Sequence, residues 1–375
     1  MDLELTGEQR FLQETARKFL EQAAPMSALR AAAITGAPPL TREFWAQAAS
    51  LGLAALLTPE EYGGAGNQQP ILDLVVVAAE LGRQLAPGPL LPVSVVTDAL
   101  LSAGTAGQQG DYLPALADGS RLVSWAAGEP GDVWEPGEAQ TTAARDGQDF
   151  VLTGHKIAVE AADVADEFLV TARAAGGMAQ FLVPRDRPGL TIRLQPRYDL
   201  GRIYGDLDLS RVRVPASALV GEPGGSDAVL EHQYQLALCL QAAETAALLD
   251  RIFGETISYL QTRYAFGRTL ASYQALKHRI ADHKLWLEAA LGIAAALASA
   301  LAAGDPGTAR LASAAKAHIG DQAVSIISDC GQLFGGIAQT WEHDLHLYLR
   351  RATASKFVYG SPAQHRERLC RLAGL

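Results

Sequence analysis

The sequence predicts an α+β protein in which an N-terminal helical domain, a middle β-domain and a C-terminal four-helix bundle follow one another. Over 1–120 the apolar side chains mostly recur at helical spacing, and Thr6 and Gln9 stand in capping-box positions. Over 121–225 short runs rich in Val, Leu, Phe and Thr are separated by Gly, Pro and Asp, which is typical of strands. Helical periodicity returns over 226–375, in segments long enough for a bundle.

The individual elements follow from the same patterns. In the first domain, helices are predicted near 41–53, 70–84 and 91–103, because Pro and Gly clusters separate these stretches. The strands of the middle domain are predicted in LVSWAAG, DFVLTG, EFLVTAR, AQFLVP, LTIRLQ and DLDLSRVRVP. The four bundle helices are predicted near 229–262, 270–303, 306–333 and 339–357.

Composition excludes several classes of protein. The 375 residues are 49% hydrophobic and 19% charged, which supplies a large core and excludes a disordered chain. A net charge of −10 repels a phosphate backbone, so no nucleic-acid role is expected. Residues 1–22 mix charges into a helical pattern and lack the apolar run of a signal peptide. The longest weakly polar run, 289–303, is shorter than the roughly 20 residues that a bilayer requires, so no membrane span is predicted.

Cysteines and histidines give no sign of a disulfide framework or a metal site. Cys239, Cys330 and Cys370 lie far apart and lack Cys-x-x-Cys spacing. His343 and His346 lack the further ligands that a metal site needs. We therefore expect no bound metal and a reducing, cytoplasmic location.

Five segments, in order along the chain, resemble the acyl-CoA dehydrogenase family. They are LGLAALLTPEEYGGAG at 51–66, LTGHK at 152–156, VRVPASALVGE at 212–222, RYAFGRTLASYQALKHRIAD at 263–282 and GQLFGGIAQTWEHDLHLYLRRA at 331–352. The resemblance covers nearly the whole chain. It implies the same three-domain fold, assembly as dimers of dimers, and an oxidoreductase that desaturates an acyl-CoA thioester between its α and β carbons.

The resemblance also implies an FAD that is shared across a subunit interface. In the family one subunit holds the isoalloxazine ring and the acyl-CoA, and its neighbour reaches the adenosine and pyrophosphate end. The residues that match the neighbour's contribution are the cofactor-binding candidates Arg263, Phe266, Gly267, Gln274, Gln332, Gly335 and Gly336. A guanidinium donates charge-assisted hydrogen bonds to a pyrophosphate, and glycines let backbone N–H groups approach it. Taken singly, such residues also fit a solvated helix end and a helix breaker.

The residues that would hold this chain's own flavin ring depart from the family pattern. The family's Thr-Glu-Pro reads Gly-Glu-Pro here, so Gly128 replaces a hydroxyl that bonds the ring. The family's Trp-Ile-Thr after the LTGHK turn is replaced by Ala158, Val159 and Glu160. A charged Glu160 beside a flavin would disfavour the reduced, anionic ring. We expect Glu160 either to turn to solvent or to fill the pocket.

Both positions at which the family carries its catalytic glutamate lack a carboxylate. Tyr359 occupies the more common position and Ala237 the other. A phenol with a pKa near 10 is a weak base at neutral pH, so no catalytic residue is predicted. Glu231 and Glu244 lie about two turns from Ala237 and are expected to be solvated or to cap a helix.

The leading hypothesis is a division of labour between two related chains. This chain is then the non-catalytic subunit of a heteromeric, α2β2 acyl-CoA dehydrogenase and completes the FAD site of a homologous catalytic subunit. The substrate is an acyl-CoA, and an electron-transfer flavoprotein accepts the electrons. One alternative is a homo-oligomeric acyl-CoA dehydrogenase with an unrecognised base such as Glu160 or Glu244. Another is a flavin-free protein on the same fold, either a lyase-like enzyme or a scaffold that stabilises a partner.

Overall fold

The chain folds in the predicted order of helices, strands and helices. A computed structural model describes residues 5–375. The first helices are α1 Gly7–Ala23, α2 Met26–Thr35, α3 Arg42–Ser50, α4 Pro70–Gln84, α5 Leu90–Ala103 and α6 Ala106–Ala117. The strands are β1 Val123–Ala126, β2 Thr142–Asp146, β3 Asp149–Glu160, β4 Glu167–Ala174, β5 Gly177–Pro184, β6 Leu190–Leu194, β7 Tyr204–Val214 and β8 Leu219–Val220. The remaining elements are α7 Asp227–Thr262, β9 Tyr264–Ala265, β10 Arg268–Thr269, α8 Gln274–Ala302, α9 Thr308–Phe334, α10 Leu345–Phe357 and α11 Pro362–Ala373.

Local sequence signals explain where several helices begin. At α1 the Gln9 N–H donates to Thr6 Oγ1 at 3.1 Å and the Thr6 N–H donates to Gln9 Oε1 at 3.2 Å, which confirms the predicted capping box. Thr105 and Ser361 begin α6 and α11 in the same way. Helices α2, α6 and α11 lie outside the predicted set.

The middle strands form one mostly antiparallel sheet in the order β6-β7-β3-β2-β4-β5-β8, with β1 parallel to β4. The short strands β2 and β8 lie outside the predicted set. The pairing of β3 with β7 changes register between Leu152 and Gly154 and again between Lys156 and Val159. Such irregularities bend a strand, and Glu160 at the end of β3 is buried in the core.

Helix α7 is the centre of the molecule, since it packs against α4 and α5 on one side and against α8, α9 and α10 on the other. Gly82 lets α4 approach α7 closely. A Cβ at Gly82 would lie 2.2 Å from the carbonyl oxygen of Glu244, so only glycine fits there. This contact also fixes the position of the Glu244 backbone relative to α4.

The C-terminal helices differ from the prediction in one respect. The fourth bundle helix, predicted over 339–357, begins only at Leu345, because a 3-10 turn over Gly335–Gln339 follows α9. Gly335 at the end of α9 has a φ of 72°, which stops an α-helix. Helix α11 packs against α9 and adds a further helix to the bundle.

Helix α8 is long and apolar enough to cross a membrane, by length and composition alone. In the structure it packs against α7 and α9, and 33% of its most apolar window is buried. An exposed apolar helix face in a bundle is equally the kind of surface that another subunit covers. The absence of a membrane span therefore stays a prediction.

The contact between α4 and α7 leads to a stability prediction. Gly82→Ala forces a methyl group into the backbone of Glu244, and we expect it to lower the free energy of unfolding by about 1–3 kcal/mol. The control is Gly254→Ala on α7, where a Cβ meets no atom within 4 Å. There the higher helix propensity of alanine should raise the free energy of unfolding by up to about 1 kcal/mol. Urea denaturation of both variants tests this, and equal stability of Gly82→Ala and the parent contradicts it.

Candidate functional site

The segment that resembles the family's flavin-facing strand makes a tight turn after β1. Glu129 and Val133 exchange backbone hydrogen bonds of 2.9 and 3.3 Å, and Gly131 and Asp132 between them have φ values of 83° and 60°. The Glu129 carboxylate accepts a hydrogen bond of 2.6 Å from Lys156 Nζ of β3. Both side chains are buried, so loss of either would leave an unpaired buried charge. The turn is thereby fixed to the sheet.

Three aromatic side chains fill the space beside this turn. A Cβ at Gly128 would lie 2.5 Å from the ring of Trp134, so the position leaves no room for a side chain. The ring of Tyr359 packs edge-on against Trp134, with centroids 5.6 Å apart, and stacks on Trp125 at 5.7 Å. All three side chains are buried, and we call Trp125, Trp134 and Tyr359 the aromatic plug.

Buried donors hold the backbone at Tyr359. Tyr234 Oη and His365 Nε2 each donate to the Tyr359 carbonyl at 2.8 Å, and Lys316 Nζ donates to the Val358 carbonyl at 2.6 Å. Tyr359 has a φ of 66°, a conformation that costs free energy for any residue other than glycine. The three donors offset this cost and fix the ring against its two tryptophan neighbours. Burial raises the pKa of Tyr359 well above its usual value, so its phenol is no base at neutral pH.

A buried arginine joins two carboxylates next to the plug. Arg202 Nη2 donates to both oxygens of Glu244 at 2.7 Å, and Arg202 Nε lies 3.1 Å from Glu160 Oε1. The contact of Arg202 Nε with Glu160 does not have the geometry of a hydrogen bond, and Arg202 Nε has no other hydrogen-bond partner among the described residues. The side chains of Glu160, Arg202 and Glu244 are no more than 5% exposed. Glu160 therefore fills the pocket and does not turn to solvent.

A second buried pair adds to this network. Arg351 of α10 contacts Asp199, whose other oxygen accepts from the Gly201 N–H at 2.9 Å. The carboxylates of Glu160, Glu244 and Asp199 thus face the two guanidinium groups of Arg202 and Arg351. When all three carboxylates are ionised, the network carries one excess negative charge. Burial has the largest effect and raises the pKa of Glu160. Arg202 opposes this effect and the charge of Glu244 adds to it, so that the pKa lies at about 7. The network is neutral when Glu160 holds a proton.

The positions around the family's second glutamate are also settled by the structure. Ala237 is fully buried on α7 and has no group that takes a proton. The expectation that Glu244 is solvated or caps a helix is wrong, because it lies in the middle of α7 and contacts Arg202. Glu231 is half-buried and paired with Arg368 Nη2 at 2.6 Å, so it is not free in solvent either.

In contrast to these buried residues, the cofactor-binding candidates are exposed on the surface of the chain. Tyr264–Ala265 and Arg268–Thr269 pair as a hairpin whose two-residue loop is Phe266 and Gly267, with φ values of 52° and 82°. Two positive φ values are required in a type I′ turn, and Gly267 adopts this easily whereas a phenylalanine does so at a cost. Phe266 is 96% exposed, so packing against the described residues does not offset that cost. The loop is shaped for a contact outside the described chain.

Tyr273 fixes the hairpin to the start of α8. Its hydroxyl donates to Ala265 O at 2.9 Å, and the guanidinium of Arg268 lies 3.9 Å from its ring centroid. Arg263 and Gln274, at the two ends of this segment, are both exposed. Within the described residues the guanidinium of Arg263 makes no ion pair.

The end of α9 lies near the same hairpin. The ring of Phe334 packs against Tyr259, one turn before Arg263, with centroids 4.9 Å apart. Gln332, Gly335 and Gly336 are exposed here. A Cβ at Gly336 would meet no atom within 4 Å, so packing inside the chain does not require glycine at this position. All seven candidates therefore lie at one end of the bundle, which we call the exposed cofactor half-site.

The two half-sites differ in whether they have room for a dinucleotide. The exposed cofactor half-site offers the Arg263 guanidinium, which makes no ion pair among the described residues, and a backbone at Gly336 that no side chain obstructs, and both fit an anionic phosphate. The ring side does not fit a flavin, because the aromatic plug and the Arg202 network occupy it. The structure thus agrees with the asymmetry that the sequence suggests.

Several residues of the closed half were not identified from the sequence. Arg202 and Asp199 lie outside the recognised segments, and Arg351 lies within one of them but its contact is with Asp199, 152 positions away. Trp134 follows a recognised turn, but its ring contacts depend on Tyr359, more than 200 residues later. The glutamate that stands where the family carries a threonine is the one available signal, since a buried carboxylate requires a partner.

The raised pKa of Glu160 leads to a pH prediction. The unfolded chain releases this proton near the usual pKa of 4.5, whereas the folded chain holds it to about pH 7. The stabilising contribution is therefore complete below the unfolded pKa and is lost as the pH rises through the folded pKa. We expect the parent, compared with Glu160→Gln, to lose about 3 kcal/mol of unfolding free energy between pH 5 and pH 8. Urea denaturation of both proteins at the two pH values measures this.

Glu129→Gln is the matched control. Burial raises the pKa of Glu129, but Lys156 and several hydrogen bonds outweigh this and leave the pKa lowered. Its contribution is present at neutral pH and lost on acidification, which is the opposite sign. A difference between the parent and Glu160→Gln that does not change with pH would show that Glu160 is ionised in the folded state.

Comparison with known proteins places this geometry in a family. The acyl-CoA dehydrogenase N-terminal, middle and C-terminal domain models match residues 6–120, 124–206 and 235–373. Acyl-CoA dehydrogenase IpdE2 of Mycobacterium tuberculosis is 32% identical over 364 residues, which are 96% of each chain.

Two solved structures of similar sequence also match. One is the ChsE4-ChsE5 complex from Mycobacterium tuberculosis, with 26% identity, a TM-score of 0.87, and coverage of 100% of this chain and 99% of that chain. The other is a variant of the Tcur3481-Tcur3483 steroid ACAD, with 29% identity, a TM-score of 0.86 and coverage of 98% of each chain. With three domain models in order and relatives matched over their full length, the chain belongs to the acyl-CoA dehydrogenase family.

Proposed function

We propose that this chain is the non-catalytic subunit of a heteromeric, FAD-dependent acyl-CoA dehydrogenase and completes the FAD site of a homologous catalytic subunit. The observation that carries the proposal is the contrast between the two half-sites. The residues that would reach into a neighbour are exposed, and Arg263 among them makes no ion pair within the described residues. The residues that would hold this chain's own ring are replaced by a packed core.

The closed half argues against catalysis by this chain alone. A flavin ring cannot enter without displacing the aromatic plug, whose three rings are buried and in contact with one another. Tyr359 and Ala237 supply no carboxylate, and Arg202 holds both Glu160 and Glu244. A homo-oligomeric enzyme that uses Glu244 as its base would first have to break its buried ion pair with Arg202, at a cost of about 3–5 kcal/mol. Glu160 is buried beside the same guanidinium.

The exposed cofactor half-site would act by binding. Arg263 would donate charge-assisted hydrogen bonds to the pyrophosphate, which could approach the backbone at Gly336 closely because no Cβ stands in the way. Phe266 would pack against the partner and so repay the cost of its backbone conformation. When bound, FAD supplies the acceptor for the hydride that leaves the acyl chain. The proton is taken by the partner's base, since this chain has none in place.

The relatives support a two-chain enzyme. One similar structure is described as a complex of ChsE4 with ChsE5, and the other is named for a pair of proteins. We extend this to an α2β2 assembly with an acyl-CoA substrate, an electron-transfer flavoprotein as electron acceptor, and a cytoplasmic location. A flavin-free lyase or a pure scaffold on the same fold remains the competing outcome of the experiments below.

The visible absorption spectrum tests the proposal. The chain purified alone should be colourless, because its ring side is closed. Purified together with a flavin-binding homologue encoded beside it, it should yield a yellow complex that an acyl-CoA bleaches. One bound flavin per chain in the isolated protein, reduced by an acyl-CoA, would contradict the proposal. Turnover by the colourless protein would favour the lyase.

Arg263→Ala tests the exposed half directly. Loss of charge-assisted hydrogen bonds worth about 1.5–3 kcal/mol should weaken FAD binding by the complex about 10- to 100-fold, and Arg263→Lys should lose less. The matched control is Arg10→Ala, since Arg10 is also exposed and forms no ion pair among the described residues. Fluorescence titration of FAD into the apo-complex measures the affinity. Equal affinity in Arg263→Ala and Arg10→Ala would favour a scaffold.

A further inference from the structure

A polar cleft with a volume of about 220 Å³ opens beside the aromatic plug. One wall is the segment after the tight turn, with Asp132, Trp134 and Glu138, and the other is α11 with Glu367. Gly360, directly after Tyr359, lies between the two walls. The cleft is therefore the surface of this chain's own, closed half-site.

The cleft carries an excess of negative charge. Its four carboxylates face two guanidinium groups, and one carboxylate, Glu135, already contacts both Arg368 and Arg371. Arg368 is further neutralised by Glu231 at 2.6 Å. The three carboxylates that remain are exposed and form no ion pair among the described residues; they are Asp132, Glu138 and Glu367.

His365 gives a second, independent sign of an absent ligand. It lines the cleft but is only 1% exposed. Its Nε2 bonds to the Tyr359 carbonyl, which only accepts, so this nitrogen carries the proton and Nδ1 is an acceptor. Nδ1 is buried and has no partner among the described residues. Burial lowers the pKa of His365 to about 4, so the ring adds no positive charge to the cleft and its free acceptor suits a donor from outside.

Symmetry indicates which donor arrives there. In a dimer of homologous chains, related by an approximate twofold axis, each hairpin reaches the other chain's half-site. This chain's hairpin brings Arg263 to the partner's flavin, and the partner's hairpin brings its matching arginine to the acidic cleft. In a true flavin site that arginine meets phosphate groups. Here no flavin fits, and the guanidinium would be left unpaired unless protein carboxylates replaced the phosphates.

We propose that the cleft lined by Asp132, Glu138 and Glu367 docks the arginine-bearing hairpin of the catalytic partner subunit. This inference rests on the proposed function and identifies the surface that selects the partner. The carboxylates supply the negative charge that a dinucleotide supplies in the other half of the dimer. Oppositely charged surfaces speed association and exclude partners without the matching charge.

The test compares two triple variants that each remove three exposed, unpaired carboxylates. The cleft variant is Asp132→Asn, Glu138→Gln and Glu367→Gln, and the control, in segments that do not line the cleft, is Glu61→Gln, Asp186→Asn and Glu222→Gln. Stopped-flow association with the flavin-binding homologue is measured at several salt concentrations. We expect the cleft variant to associate about tenfold more slowly at low salt, with a weaker salt dependence, and the control to match the parent. The flavin content of the final complex should not change.

Charge reversal sharpens the result. Glu138→Arg should weaken the complex, and replacement of the partner's hairpin arginine by glutamate should restore it. Equal association rates for the cleft and control variants overturn the inference, while the proposed function still stands if Arg263→Ala releases flavin. Conversely, if Arg263→Ala keeps its flavin, the proposed function fails whatever the cleft does. If the cleft variant alters only self-association of this chain, in sedimentation of the isolated protein, the occupant is a second copy and the inference is wrong.

Discussion

The contact of Arg202 with Glu160 and Glu244 is the interaction on which the closed half of the molecule depends. It joins the end of β3, the approach to β7 and the middle of α7 at a point from which solvent is excluded. A buried guanidinium without a partner costs several kcal/mol, so Glu244, which accepts the hydrogen bonds of Arg202, is not free to move while the core is intact. The close approach of α4 at Gly82 fixes the position of Glu244. Glu160, Arg202 and Glu244 lie close enough to Tyr359 for their charges to shift its pKa.

The aromatic plug depends on this network and on the buried donors that hold the backbone at Tyr359. Tyr359 adopts a backbone conformation that tyrosine avoids, and three buried donors hold it there. The loss of one glutamate does not explain these contacts, because donors from separate parts of the chain act together to hold Tyr359 in place. The plug places uncharged, packed side chains beside the segment that resembles the family's flavin-facing strand.

The other end of the bundle has the opposite character. There the backbone cost at Phe266 and the open space at Gly336 have no explanation within the described chain, and Arg263 has no internal partner. Features that lack an internal reason but cluster at one surface indicate a second molecule. A closed half and an open half on one chain are consistent with a pair of subunits that share a single cofactor site.

How much the sequence predicts depends on how far apart the interacting residues lie. The Thr6 capping box, the long helices α4, α5, α7, α8 and α9, and the loss of both glutamates are read from neighbouring residues or aligned motifs. Arg202 and Glu244 are 42 positions apart, and only the folded core brings them together, which is why Glu244 was expected in solvent and Glu160 had two possible fates. The acidic cleft is likewise invisible in sequence, because Asp132 and Glu367 come from opposite walls of one surface.

Under the proposed function, two chains share one cofactor. Its most direct test is the amount of FAD bound per pair of chains in the purified complex, from the absorption spectrum and a quantitative amino-acid analysis. One FAD per pair is expected, since the ring has room in only one of the two subunits. Two FAD per pair, with the second ring displacing Tyr359, would contradict it.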